Sequence, residues 1–270
     1  MCRWLAYTGT PIRLEELVVK RDRSLIDQSL HAREGATTTN GDGFGMGWYD
    51  DTGAARVYHS VHPAWNDRNL REIAAGVSSG LFLAHIRAST GSAIQETNTH
   101  PFRHGNWLWM HNGLIYDYHL IERQLRFAVD SSLYPSIEGT TDSETMFYLA
   151  LTFGLEDDPF GAVEKMVGFV EGTGHKIQMT IATSDGTRLY AFRYSTEGKS
   201  RSLYVSTRMD VLKEAYPNLE ELSHLSDESR AVVSEPLGDL PGAWQEAPES
   251  HCGVVAPGVS ELRPFTPQRA

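Results

Sequence analysis

A chain of 270 residues with 24 Lys and Arg against 35 Asp and Glu carries a formal charge of −11, so it lacks the basic face that nucleic acid requires. Its 40% hydrophobic and 22% charged content is that of a globular domain; no apolar run offers a membrane span, and no basic-then-apolar opening marks a secretory signal. Cys2 and Cys252 are too few for a disulfide framework or a cysteine-rich zinc site, and they fit a reducing cytoplasm.

In chain order, Ser24 to Arg33 reads as a helix, and Asn66 is the expected cap of another that runs to Ala75. LFLAHIRA from Leu81 and NWLWMHN from Asn106 read as buried strands. Tyr118, Ile121, Leu125 and Ala128 recur at helical spacing within the next segment. Further helices are expected from about Asp142 to Gly154, capped by Thr141 or Asp142, and from Pro159 to about Val170. KIQMTIATS and TRLYAFRYS then flank Asp185-Gly186, a strong hairpin signal. LYVST, RAVVSEPL, GAWQEA and CGVVAP add short strands. Strands and helices in segregated blocks predict a layered α+β domain over residues 2–263, followed by a loose C-terminal tail over 264–270. Trp48, Trp65, Trp107 and Trp109 are expected in the core or lining a pocket.

Five stretches carry polar groups of chemical interest. In MCRWLAY, Cys2 stands directly behind Met1, which aminopeptidases remove when a small residue follows. Cys2 would then hold a thiol and a free α-amine on one residue. That amine, with a pKa of roughly 7.7–8.0 against about 8.5 for the thiol, can act as base for its own nucleophile. In TNGDGFGMGWYDD from Thr39, Gly41, Gly43, Gly45 and Gly47 let backbones approach closely, and the strand-like continuation disfavours a phosphate loop. AHIRASTGSAIQETNTHPF places Arg87 at a strand end, followed by Ser89 and Thr90. An arginine there suits a carboxylate ligand, or else a structural salt bridge. His85 and His100 are expected to be satisfied structural histidines, since their spacing is not that of a metal site. In WMHNGLI, Asn112 and Gly113 form either a turn or a pair of donors for a developing oxyanion. In GTTDSETMF, Asp142 can cap a helix, bind a substrate ammonium, or do both.

The Met-Cys start, NGDGFG, HIRAST, NTHPF, HNG and TDSE occur in an order that resembles the class II glutamine amidotransferases of the N-terminal-nucleophile hydrolase superfamily. The resemblance runs from Cys2 to about Glu144 and continues more faintly through AVVSEPL from Ala231. It implies a four-layer αββα sandwich of mostly antiparallel sheets. It further implies Cys2 as nucleophile, Arg87 with Thr90 on the substrate α-carboxylate, Asp142 on the α-ammonium, and Asn112 with Gly113 as oxyanion hole. Asp42 and Gly43 lie nearby without an assigned role. No cofactor and no metal is implied.

The substrate so implied is glutamine or a γ-glutamyl peptide, cleaved through a γ-glutamyl thioester. Residues after TDSE read as remaining strands of the same domain, with no room for a synthase. Two readings stay open. The chain is a stand-alone hydrolase of γ-glutamyl amides, or a glutaminase serving a separate synthase or peptidase subunit. SLIDQS, NGDGFG, PAWNDRNL and HIRAST…ETNTHPF resemble the subgroup that includes the amidotransferase-like subunit of fungal glutathione degradation. The MCR start is shared with ergothioneine-pathway γ-glutamyl hydrolases, and together these favour a leaving group larger than ammonia. An inactive binding or regulatory subunit is the alternative from another class, and glutamate release separates it from both.

Overall fold

Two antiparallel sheets stacked face to face, with helices on both outer surfaces, make up the structure, a computed structural model that describes residues 2–34, 38–89, 91–223 and 225–268. Its strands begin with β1 (Arg3–Arg13), β2 (Phe44–Tyr49), β3 (Ala55–Ser60), β4 (Ser78–Ile86), β5 (Phe102–His104) and β6 (Trp107–Ile115). They continue with β7 (Ile177–Ser184), β8 (Leu189–Ser195), β9 (Tyr204–Ser206), β10 (Arg230–Val233), β11 (Trp244–Glu246), β12 (His251–Ala256) and β13 (Val259–Pro264). The helices are α1 (Glu15–Val18), α2 (Leu25–His31), α3 (Arg68–Gly76), α4 (Tyr118–Phe127), α5 (Asp142–Thr152), α6 (Pro159–Gly172), α7 (Met209–Ala215) and α8 (Glu220–Ser223). One sheet has the order β11-β9-β10-β1-β4-β2-β3, the other β13-β12-β8-β7-β6-β5.

Alternation along the strands sorts apolar side chains into three cores. Leu5 and Tyr7 of β1, with Phe44, Met46 and Phe82, face α1, α2 and α3. Their neighbours Trp4 and Ala6 point the other way, into a middle core with Leu83, Leu108, Met110 and Ala182. Trp109, Met179, Ile181 and Phe192 form the third core with Phe147, Met166 and Val167 of α5 and α6. Three cores between four layers give the αββα arrangement that the family resemblance implied. Of the tryptophans, Trp107 and Trp109 are buried in the third core, whereas Trp48 and Trp65 pack half-buried against the first.

Helix starts follow side-chain capping. Ser24 accepts from Asp27 N (3.1 Å) and Thr141 from Glu144 N (3.2 Å). The cap expected at Asn66 falls instead on Asp67, whose carboxylate accepts from Leu70 N at 2.9 Å; Asn66 is held in a single 3-10 turn, Ala64–Asn66. The segment expected to be a loose tail is docked as far as Gln268. Phe265 is buried against Phe192 and Tyr194, and Gln268 N donates to the Glu164 carbonyl at 3.0 Å. One large apolar ring is enough to hold such a segment down.

Candidate active site

Because Trp4 and Ala6 face the middle core, the two-residue period of β1 puts Cys2 on the same side. Trp4 lies opposite His85 in the β1–β4 register, which brings Arg87, just past β4, beside Cys2. On β6, Leu108 and Met110 share that core, so Asn112 faces it too, one step along. Three residues far apart in sequence thus meet at one end of the gap between the sheets. The Cys2 thiol is half-buried: Ala88 N–H donates to Sγ at 3.4 Å, and Sγ lies 3.6 Å from the Ala88 carbonyl. Burial pushes the thiol above its ordinary value, opposed by the Ala88 N–H and the nearby cation of Arg87.

The segment at Cys2 is clamped by partners that sequence reasoning missed. Arg3 Nη1 donates to the Cys2 carbonyl at 2.9 Å, while Arg3 Nε pairs at 2.9 Å with Glu235; both side chains are buried. Glu235 also receives Arg23 and the backbone N–H groups of Arg33 (3.1 Å) and Glu34 (3.1 Å). Ser234 Oγ accepts from Trp4 N at 2.9 Å. A signal existed: Arg3 in MCRWLAY and Glu235 in AVVSEPL each carry charge next to apolar runs, and a buried charge needs a partner. Removing that partner strands a buried guanidinium, so Glu235→Ala should destabilise the fold by about 3–5 kcal/mol in urea unfolding. A loss near zero would show that the pair is not holding this segment.

Arg87 is 3% exposed, yet among the described residues no carboxylate lies within ion-pair distance of it, so the structural salt bridge is not formed. Its donors go to neutral partners: Ser92 Oγ (2.7 Å), the Ala93 carbonyl (3.0 Å), Ser89 Oγ (3.4 Å) and the Asp42 carbonyl (3.4 Å). Burial works against its charge. Asp42 shapes the backbone here. Its carboxylate accepts from Ser89 N at 2.7 Å, its N–H donates to the Arg87 carbonyl, and Gly43 accepts from Arg87 N at 2.8 Å. Thr90 lies outside the described residues.

The Asn112-Gly113 pair is not a turn. It sits inside β6, opposite Thr180 and Met179 of β7. Gly113 has a φ of +155°, and a Cβ on it would stand 1.9 Å from the Gln178 carbonyl oxygen, so no larger side chain fits. Asn112 is buried and its Nδ2 donates to the Cys2 carbonyl at 3.2 Å. Asp142, freed from capping by Thr141, opens α5. Its carboxylate accepts from Ile115 N (2.8 Å) and Ser143 N (2.7 Å), which ties the helix start to the end of β6. His111 joins this link through Ser143 Oγ at 2.8 Å.

His85 and His100 are buried with ring centroids 4.3 Å apart and tilted by 38°, but the satisfaction expected of them is not met: none of their ring nitrogens has a hydrogen-bond partner among the described residues. Burial and neighbouring positive charge hold both neutral, His85 down to about 3 and His100 well below its ordinary value. Ring packing against each other and of His100 against Phe102, not hydrogen bonding, is what they supply.

The sequence profile described as "Glutamine amidotransferases class-II" matches residues 18–259. A "Probable glutamine amidotransferase DUG3" from Saccharomyces cerevisiae is 31% identical over 302 residues, spanning 98% of this chain and 84% of that one. A "Gamma-glutamyl-hercynylcysteine sulfoxide hydrolase" from Mycolicibacterium smegmatis is 30% identical over 256 residues, with 93% and 94% covered. Among solved structures, a glutamine aminotransferase class-II domain protein from Silicibacter pomeroyi superposes with a TM-score of 0.75 at 33% identity, covering 99% of this chain and all of that one. Glutamine phosphoribosylpyrophosphate amidotransferase from B. subtilis, at 14% identity and a TM-score of 0.66 over half its length, shares the fold. The chain belongs to the class-II glutamine amidotransferases.

Proposed function

We propose that this chain hydrolyses γ-glutamyl amides, with Cys2 as the nucleophile. The observation that carries the reading is the convergence at Cys2 of three groups: the Ala88 N–H on its thiol, the Asn112 amide on its carbonyl, and the nearby charge of a buried Arg87 that has no ion-pair partner among the described residues. A γ-glutamyl group presents a carboxylate, an ammonium and a scissile amide. Arg87, with Thr90, would take the first; Asp142 the second; and Asn112 Nδ2 with the Gly113 N–H would face the oxygen of the third.

The steps follow from those roles. With Met1 removed, the Cys2 α-amine accepts the thiol proton as Sγ attacks the γ-carbonyl carbon. The tetrahedral oxyanion collapses, the C–N bond breaks, and the same proton goes to the departing amine. Water then cleaves the γ-glutamyl thioester and glutamate leaves. The names of the yeast and mycobacterial relatives support an amide of this class, and the hydrolase names favour a leaving group larger than ammonia. The glutamine amidotransferase name of the yeast relative favours a second reading, ammonia delivery to a separate partner. With both cysteines free, we infer a reducing, cytoplasmic setting. Among the described residues no helix is long and apolar enough to cross a membrane.

Glutamate release from glutamine, glutathione and other γ-glutamyl amides tests the proposal. Turnover of a γ-glutamyl peptide above glutamine supports the hydrolase, glutamine alone supports the ammonia donor, and silence on all of them with Met1 removed overturns both. For the oxyanion role, Asn112→Ala should lower kcat by about 10²–10³-fold with KM nearly unchanged. A change in KM alone would move Asn112 from stabilising the reacting oxygen to binding the ground state.

A further inference from the structure

Cys2 has neighbours on both sides within its sheet. β4 with Arg87 lies on one side, and β10 followed by β9 on the other. Residues 199–203, the run into β9, are tied to both sheets near the Cys2 end of β1. Gln178 Nε2 donates to the Lys199 carbonyl at 2.5 Å, anchoring this run to β7. Ser202 Oγ donates to the Ser234 carbonyl at 2.8 Å, anchoring it to the residue that clamps Trp4.

Arg201 stands between these two anchors. Its guanidinium makes no hydrogen bond or ion pair with any described residue, and its Nε is sealed from solvent. The ionisable groups that act on it are Tyr116, Cys2 and Arg3, and Arg3 is already held by Glu235. The acids at this run bind its serines and not Arg201: Glu249 accepts from Ser200, and Glu34 from Ser202 and from Tyr204. Gln178, whose Nε2 holds the Lys199 carbonyl two residues before Arg201, has a buried Oε1 with no donor among the described residues. An unpaired, partly buried cation and an orphan acceptor tied to the same short run are costly in a finished fold and become favourable when an anion that also carries an N–H meets both.

We propose that Arg201 receives a carboxylate on the leaving-group side of the scissile bond, with Gln178 Oε1 accepting an N–H from the same group. This rests on the γ-glutamyl hydrolase reading. Arg87 takes the glutamyl carboxylate on the β4 side, the γ-carbonyl lies at Sγ, and the amine portion extends toward the β10 side, where Arg201 waits. The chemical class is a γ-glutamyl amino acid or peptide, whose leaving group ends in a carboxylate. Glutamine and uncharged γ-glutamyl amides leave Arg201 unpaired and are the poorer substrates.

The test compares γ-glutamylglycine with γ-glutamylglycinamide, nearly equal in shape but differing in that one charge. The wild-type chain should favour the acid in kcat/KM by about ten- to hundredfold. In Arg201→Gln that ratio should fall toward one, and Arg201→Lys should keep part of it. Because the ratio is taken within each protein, a variant that folds poorly does not distort it. A wild-type ratio near one, or a ratio unchanged in Arg201→Gln, overturns the inference while leaving the hydrolase reading intact. A wild-type protein that cleaves neither compound, nor glutamine, overturns the hydrolase reading and this inference with it.

Discussion

Alanine at position 2 is expected to abolish glutamate release, by at least about 10⁴-fold, because no other group in the site can form the thioester. Burial pushes the Cys2 thiol up, so its resting form is the protonated one and attack needs a base at hand. The α-amine of Cys2 itself is that base. Its deprotonated form is the active one, so kcat/KM should rise with pH through an amine value of roughly 7.7–8.0 and fall away on the acid side. Keeping the residue before Cys2 should silence the enzyme as fully as the alanine does, and intact mass distinguishes the two proteins before the assay. Cys2→Ser tests the division of labour: it keeps the amine and the Ala88 contact but offers a weaker nucleophile, so a small residual rate is expected. Full activity in Cys2→Ala would remove the thiol from the chemistry.

The parts of this fold that were legible in sequence are those written locally. The β7–β8 hairpin was readable because Asp185-Gly186 supplies a turn with Gly186 at a φ of +95°. The start of α5 was readable to within one residue, because Thr141 and Asp142 both suit a cap, and Thr141 takes that role. β1 was not readable as a strand: both of its faces are buried, so RWLAY shows no alternation, and its partners β4 and β10 lie far along the chain. Asn112-Gly113 was ambiguous for a similar reason. The pair is a common turn signal, and only the register with Thr180 and Met179 places it inside a strand. The family motifs supplied Cys2, Arg87, Asn112 and Asp142, whereas Glu235, Thr180 and Arg201 come from segments whose roles depend on what folds against them. Thr180 Oγ1 bridges Trp4 Nε1 and the Asn112 carbonyl, each at 3.4 Å, across the two sheets, a contact no single segment announces.

The second large effect is expected at Arg87, and its character separates a binding cation from a structural one. Arg3 and Arg87 are comparably buried, at 2% and 3% exposure. Arg3 is closed by Glu235, so its loss, or that of its partner, is a stability effect. Among the described residues Arg87 has only hydroxyl and carbonyl hydrogen-bond partners, and the Asp42 carboxylate acts on it from beyond ion-pair distance, an arrangement that an anionic ligand completes. Arg87→Lys keeps a charge but removes the planar fork. With two charged hydrogen bonds of about 1.5–3 kcal/mol each at stake, kcat/KM should fall by about 10²–10⁴-fold, chiefly through KM, and glutamate should weaken as a product inhibitor to match. The melting temperature should move far less than in Glu235→Ala. If instead Arg87→Lys loses stability as Glu235→Ala does while its KM holds, the guanidinium is fastening the loop through Ser92 and Ala93, and the substrate α-carboxylate must be met by another group.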